Sequence, residues 1–212
     1  MTLLPRRETA RERWRTFVES RHTTFADPGA KVLDVGCGRS KFPGAVGMDR
    51  LENTDADVIH ELDVLPYPLD DNSFDLVIAR HVLEHVAAPL DVLAELHRVT
   101  RAGGEVSIIS PHFASVTSWT DPTHRHHFSS RSFDYLLSDT EWNFYSNVRF
   151  ELLDRRITLG MVQGPGGRVF PLLRLLGVEA LVNRFIDVFE RWWAFALPLG
   201  PKDLVIRLRV VK

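Results

Sequence analysis

Cysteine is nearly missing: Cys37 stands alone among 212 residues, so neither an internal disulfide nor a multi-cysteine zinc site can be built. An excess of one charge is missing too. Lys and Arg number 26 against 28 Asp and Glu, a formal −2, so no basic field advertises nucleic acid. Nothing approaches the ~18 uninterrupted apolar residues of a membrane span. The opening MTLLPRRETARERW reaches its charges before an apolar stretch of signal-peptide length. Internal repeats and low-complexity segments are likewise absent. What is there, 44% apolar and 25% charged residues, excludes a mainly disordered, collagen-like or coiled-coil chain. The expectation is a soluble, cytoplasmic protein of one domain, since 212 residues are too few for two roomy ones.

Glu8 to Arg21 reads as a charged amphipathic helix, with Ala10, Trp14, Phe17 and Val18 on one face. Asp27-Pro28-Gly29 then breaks the chain. Five short apolar runs follow between turn residues: Lys31–Gly36, Ala45–Asp49, Asp57–Glu61, Phe74–Ala79 and Glu105–Ser110. KVLDVG and FDLVIA do not alternate cleanly, which marks strands buried on both faces. Between the last two runs, Val82, Leu83, Val86, Leu90, Leu93, Leu96 and Val99 are nearly in helical phase. Pro89 should start the main segment of that helix and Gly103-Gly104 should end it. Strand, helix, strand in this order implies right-handed crossovers onto a parallel sheet.

The later half is looser. His112 to Phe128 has no clear period, and Ser129 or Ser130 can cap a short helix through Phe133, Leu136 and Leu137. Arg149–Thr158 and Asp203–Val211 read as strands, and Gln163–Gly167 as a turn. Between them Val178, Leu181, Val182, Phe185, Phe189, Trp192, Trp193 and Ala196 form a long helical stripe, expected to pack on the sheet. A cover over the active site, a homodimer face or peripheral membrane contact through 170–199 are the other uses such a stripe allows.

The most informative run is VLDVGCGRS at Val32–Ser40. Gly36 and Gly38, straight after a buried strand, let the backbone approach a ligand closely. Asp34 at that strand's end can fix the loop or receive a ligand's amine. Asp49, at the end of the next strand, can take ribose hydroxyls. A glycine pair alone also fits a mere tight turn; with Asp49 it points to a nucleoside-bearing ligand.

The run resembles the first motif of class I S-adenosylmethionine-dependent methyltransferases, in the type 11-like subgroup written around DVGCG. Leu62-Asp63-Val64 with LPYPLDDNSFDLV, then HVLEHV and ELHRVTRAGGEVSIISP, resemble the family's next blocks in order, so the likeness covers Lys31 to Phe133. It implies an α/β fold, a Rossmann-like seven-stranded and mostly parallel sheet with flanking helices and an antiparallel final strand. It implies S-adenosylmethionine as cofactor. Asp34, Gly36 and Gly38 would contact the methionine moiety, Asp49 the ribose, and Asp63 the adenine amino group, with Val64 beside it. Arg80 would lie near the sulfonium through its backbone. Cys37 joins the cofactor loop as a small residue that the turn accommodates, not as a nucleophile. The chain then divides into a lead-in over 1–30, a cofactor-binding core over 31–140 and C-terminal strands with the Trp-rich helix over 141–212. One departure stands out: RSKFPGAVG leaves eight residues between Gly36 and Ala45, whereas a parallel crossover takes about a dozen. The first crossover helix must be reduced to a turn or lost.

Histidines carry the remaining chemistry. His81, Glu84 and His85 spell H-x-x-E-H, which on one helix would hold zinc between two imidazoles with Glu84 as base. That makes a metal-dependent hydrolase the rival reading, without a third ligand at helical spacing, and the expectation is no bound metal. A second group, Asp121-Pro122-Thr123-His124-Arg125-His126-His127, follows the fifth strand, where open α/β sheets bind ligands. His124, after a Pro-Thr turn and near Asp121, leads as the general base, with His126 and His127 as alternatives. A metal site or a loop held by hydrogen bonds remain the competing readings. Ala79-Arg80-His81-Val82 stands where an Asn-Pro-Pro-Tyr type tetrapeptide would mark a nucleic-acid base amine as substrate. The expected activity is methyl transfer to a small-molecule acceptor; a non-catalytic cofactor-binding relative is the alternative.

Overall fold

Val32–Val35 (β1), every residue of it buried, lies inside the sheet, with Val46–Asp49 (β2) on one side and Phe74–Arg80 (β4) on the other, both parallel to it. The computed structural model describes residues 29–138, 140–141, 144, 146–159, 162–163, 169–170, 176–196 and 200–212. The helix expected over Glu8–Arg21 lies outside them, as do the central residues of the turn expected at Gln163–Gly167. Val58–Ile59 (β3) extends the sheet beyond β2, and Thr100–Pro111 (β5) pairs parallel with β4. Arg149–Leu159 (β6) follows, then a small antiparallel ribbon of Val162–Gln163 (β7) and Val169–Phe170 (β8). Pro201–Val211 (β9) inserts antiparallel between β5 and β6, so the sheet order is β3-β2-β1-β4-β5-β9-β6. The expected seven strands and the antiparallel last strand are both present.

Residues of β1 alternate between two clusters. Leu33 and Val35 join the larger core, together with Met48, Val77, Leu93, Leu96, Ile108 and Ile206. Val32 faces the other way into a smaller cluster with Ala45, Leu76, Ile78, Ile109 and Val205, against which Phe42 packs. Phe42 belongs to the shortened crossover, which holds turns and no helix between β1 and β2. Ten residues cannot close a helical turn and return in register; backbone bonds from Gly36 and Cys37 to the Met48 carbonyl close it instead.

Pro89–Val99 (α1) is the crossover from β4 to β5. Proline leads its first turn, Asp91 follows, and His97 and Arg98 complement the dipole in the last turn. It buries Val92, Leu93, Leu96 and Val99. The helix does not run to Gly103-Gly104 as expected. Thr100 ends it, donating both its backbone N–H and its Oγ1 hydroxyl (2.6 Å) to the Leu96 carbonyl, and β5 begins there. The glycine pair lies inside β5, where a Cβ on Gly104 would come 2.9 Å from the Asp75 carbonyl oxygen. Close strand approach, not helix capping, is what needs glycine here.

Two further expectations are corrected. Ser130 caps no helix: its backbone N–H and hydroxyl both donate to Glu190, each at 2.7 Å, and only a single 3₁₀ turn, Asp134–Leu136, follows. The C-terminal stripe is not one helix on the sheet. Val116–Thr120 (α2) is a short turn of helix, and Val178–Arg184 (α3) packs on β6, but the chain leaves helical geometry at Phe185 (φ −127°, ψ 45°). It resumes through Ile186–Val188 and a π-helical turn, Phe189–Trp193. The break shifts the phase, so only Val182, Phe189 and Ala194 are buried while Leu181, Phe185, Trp192 and Phe195 stay exposed. Among the described residues, no helix is long and apolar enough to cross a membrane.

Candidate active site

A cleft of about 610 Å³ opens at the C-terminal ends of β1, β2 and β4. The glycine end of its wall, Gly36, Asp49, Leu51, Leu62 and Asp63, comes from the segments at and after β1, β2 and β3. The histidine end, His81, Val82, His85, Val86, Thr123 and Arg125, comes from those after β4 and β5, and the two meet where Arg125 faces Asp63. Open parallel sheets collect ligands at this edge because the loops that follow the strands converge there.

Gly36 is at the turn out of β1 with φ +63°, and a Cβ added to it would stand 2.2 Å from Val82 Cγ2. Only glycine lets these two segments meet. Asp49 closes the turn from below: its Oδ2 accepts the Gly38 N–H and its Oδ1 the Leu51 N–H, both at 3.0 Å. Each oxygen keeps a further lone pair for a ligand hydroxyl. Asp63 accepts the Ala87 N–H at 2.7 Å, tying the segment after β3 to the segment after β4, and Arg125 Nη1 lies 3.8 Å from its other oxygen.

Not every residue expected to touch the cofactor lies at the wall. Asp34 is buried under the loop, where it accepts the Phe42 N–H at 2.7 Å. Burial pushes its carboxyl up to about 6, against that hydrogen bond and the attraction of Arg80. Gly38 and Cys37 shape the loop without lining the cleft. Burial, with Asp34 and Asp49 nearby, pushes the Cys37 thiol up to about 11, which suits the expectation of an inert small residue. Arg80 does not line the cleft either; its Nη2 donates to the Ser40 carbonyl at 3.3 Å, and the next residue, His81, takes the wall position with φ +52°. Val64 is exposed in a shallow depression with Ile59 and His60 that adjoins the cleft through Arg50, Leu51 and Glu61. Arg50, Leu51, Glu61 and Val82 line the cleft without having been singled out for it. For Leu51 the position two residues past the acidic strand end was the available signal.

The H-x-x-E-H pattern is not on a helix. Residues 81–88 form a turn before α1, so His81 and His85 do not share a helical face and the hydrolase geometry does not arise. Glu84 is buried between Ser110, whose hydroxyl donates to Oε2 at 2.6 Å, and His81, whose Nδ1 is 3.3 Å from Oε1. Burial raises its pKa, but these two bonds outweigh it and hold the carboxyl below the usual range. The loop after β5 folds back onto this turn, with Arg125 and His126 N–H groups both donating to the Glu84 carbonyl. His126 Nε2 donates to the Val86 carbonyl at 3.0 Å, and His127 stacks on Trp119, 3.7 Å between ring centroids. His124 is not in the cleft wall; it stands behind His85, edge-on, with ring centroids 4.7 Å apart. His112 is fully buried and donates from Nε2 to Glu190 at 2.9 Å, away from the cleft.

The methyltransferase domain family matches residues 42–108. A demethylmenaquinone methyltransferase of Staphylococcus epidermidis is 33% identical over 116 residues, 44% of this chain and 47% of its own. An uncharacterized 37.1 kDa protein in transposon TN4556 of Streptomyces fradiae is 33% identical over 114 residues, 43% of this chain and 33% of that one. The chain thus spans a third to a half of the length of these curated relatives. A crystal structure of a SAM-dependent methyltransferase from Archaeoglobus fulgidus shares the fold over 94% of each chain, with a TM-score of 0.57 at 19% identity. Sheet order and glycine turn agree with these comparisons: residues 42–108 match the methyltransferase domain family, and the fold is that of the S-adenosylmethionine-dependent methyltransferase structure.

Proposed function

We propose that the protein transfers a methyl group from S-adenosylmethionine to a small-molecule acceptor held at the histidine end of the cleft. The observation that carries this reading is the pairing of Gly36 with Asp49 at one end of a cleft whose other end is lined by polar side chains. The residues present fit the cofactor. About 610 Å³ lies within the ~300–1,000 Å³ typical of small-molecule sites. Asp49 has oxygens for two hydroxyls, and Leu51, Leu62, Val82 and Val86 offer apolar surface to a purine.

When bound, S-adenosylmethionine supplies an electrophilic methyl on a sulfonium. The chain itself has to hold the acceptor in line, exclude water and let a proton leave. Val82 and Val86 line the cleft, and apolar side chains there keep water from the reacting atoms. An acceptor proton would meet His81 or His85 before reaching His124, the residue that sequence puts forward as base. The near-neutral charge balance and the demethylmenaquinone methyltransferase relatives support a small-molecule acceptor over nucleic acid.

Calorimetry with S-adenosylmethionine and its demethylated product tests the reading. One saturable site is expected for each ligand. No heat and no thermal shift at millimolar ligand, in folded protein, would overturn it. Screening hydroxyl- and amine-bearing metabolites for release of the demethylated product then identifies the acceptor.

A further inference from the structure

The fold brings three ligating groups from two separate segments to one point. Glu84 and His85 come from the turn after β4, and His124 from the loop after β5; one possible ligand atom of each lies within 4.8 Å of the others. Around a divalent ion with bonds of ~2.0–2.1 Å, neighbouring ligands stand about 3.0–3.4 Å apart, so closing this set takes small side-chain adjustments and no backbone rebuilding.

The hydrogen bonds fix which atoms are left over. His124 Nδ1 is 3.0 Å from the Ser118 carbonyl, which can only accept, so Nδ1 carries the proton and Nε2 keeps its lone pair. His85 Nδ1 is 2.9 Å from the Thr123 hydroxyl. That hydroxyl has one proton and donates it to Asp121 Oδ1 at 2.7 Å, so it accepts from His85, whose Nε2 is again the free atom. Glu84 is fixed by Ser110 on one oxygen and by His81 Nδ1, 3.3 Å away, on the other, which leaves each oxygen a further lone pair. Each of the three groups thus keeps a lone pair beyond the bonds that orient it, and the three stand close enough to share one cation. Metal-binding histidines are held in this way, the far nitrogen bonded to a carbonyl, a carboxylate or a group that passes on to one.

We infer that Glu84, His85 and His124 bind one divalent first-row transition cation. Two imidazole nitrogens and one carboxylate favour Mn²⁺, Fe²⁺, Co²⁺ or Zn²⁺ over Mg²⁺ or Ca²⁺, which prefer all-oxygen sites. Three protein ligands leave coordination positions open. His85 lies in the cleft wall, so those positions border the space assigned above to the acceptor. Resting on that assignment, the cation selects an acceptor with an oxygen donor, such as a hydroxyl. Coordination lowers the pKa of such a hydroxyl, whose proton then passes to His81, the imidazole of the cleft wall that is not a ligand. His124 is in this account a ligand and not the base, and Glu84, not His81, is the second ligand from the H-x-x-E-H segment.

The test is titration of the chelator-treated, refolding-checked full chain with Co²⁺ and Mn²⁺, read by visible absorption and by electron paramagnetic resonance. One equivalent should bind. Thr123→Val, which removes the outer partner of His85, should weaken binding by ~10–100-fold, and His124→Ala or Glu84→Gln by more than that. His127→Ala, whose ring packs on Trp119, should leave it unchanged. No saturable binding of either ion, or equal binding by the wild type and a folded His124→Ala variant, would sink the site. Demethylated-cofactor binding is measured on the same samples by calorimetry. Cobalt bound with no cofactor binding keeps the metal site and defeats the methyl-transfer reading; the converse defeats the metal site alone.

Discussion

The two ends of the cleft use titratable side chains in opposite senses. At the glycine end the carboxylates receive backbone N–H groups: Phe42 on Asp34, Gly38 and Leu51 on Asp49, Ala87 on Asp63. At the histidine end the imidazoles face oxygens, His124 the Ser118 carbonyl, His126 the Val86 carbonyl and His85 the Thr123 hydroxyl. In both places the bonds that hold the loop leave something for a ligand: a second lone pair on each Asp49 oxygen, and the far nitrogen of His85 and His124. The difference is in what remains: acceptor oxygens for hydroxyls at one end, nitrogen lone pairs for a proton or a cation at the other. Perturbing one end should leave the other's ligand in place.

The harshest way to break the comparison is Gly36→Ala. A side chain at φ +63° costs ~1–2 kcal/mol, and crowding Val82 adds ~1–3 kcal/mol more, so urea unfolding should show a loss of about 2–5 kcal/mol. Adding Val82→Ala should recover the crowding part and not the backbone part; no recovery would mean that the 2.2 Å approach is not the cause.

Asp34 gives the next effect. Its carboxyl titrates near 6 in the folded protein and near 3.8 when unfolded, so the folded state holds the proton more tightly. This contribution to stability is complete below pH 4 and is lost as pH rises through 6, reaching about 3 kcal/mol. Asp34→Asn cannot ionise. Its stability relative to wild type should therefore climb between pH 4 and pH 7, by up to that amount. A flat difference across unfolding curves at pH 4, 5, 6 and 7 would refute the cost assigned to burying this charge.

Asp49→Ala should weaken cofactor binding by ~1–3 kcal/mol through lost charge-assisted hydrogen bonds, seen by calorimetry. Cobalt binding should stay as in wild type, which sharpens the separation of the two ends. The smallest effect is expected away from both: Trp192→Ser, on the exposed side of the broken stripe, should change stability by no more than ~0.5 kcal/mol. A larger loss would mean that something covers this ring.

Much of the first half was legible because its signals are local. Apolar runs of four to seven residues bounded by turn residues became β1, β2 and β4, and Pro89 marked its helix start. Gly36 and Asp49 were legible as cleft residues for the same reason: strand ends are readable and ligands bind there. What failed depended on partners distant in sequence. Nothing near Gly103-Gly104 reveals that Asp75 crowds Gly104 across the sheet. The apolar stripe from Val178 predicted burial, but the break at Phe185 turned much of it outward. His81 and His85 looked like helix neighbours until His81 adopted φ +52°, and His124 reaches His85 only through the folding back of a loop 39 residues later.

The insertion of β9 between β5 and β6 sets a timetable for synthesis. A ribosome delivers β1 to β5 and the loop to Arg125 first, and those residues already contain every wall of the cleft. Until residues 201–211 emerge, β5 has a bare edge and β6 has no strand to lie against. The nascent chain therefore passes through an interval in which its ligand site can close while an edge strand rich in Val and Ile stays open to the wrong partner. Early capture of the cofactor would steady the half already made, and the last strand to appear would seal the edge.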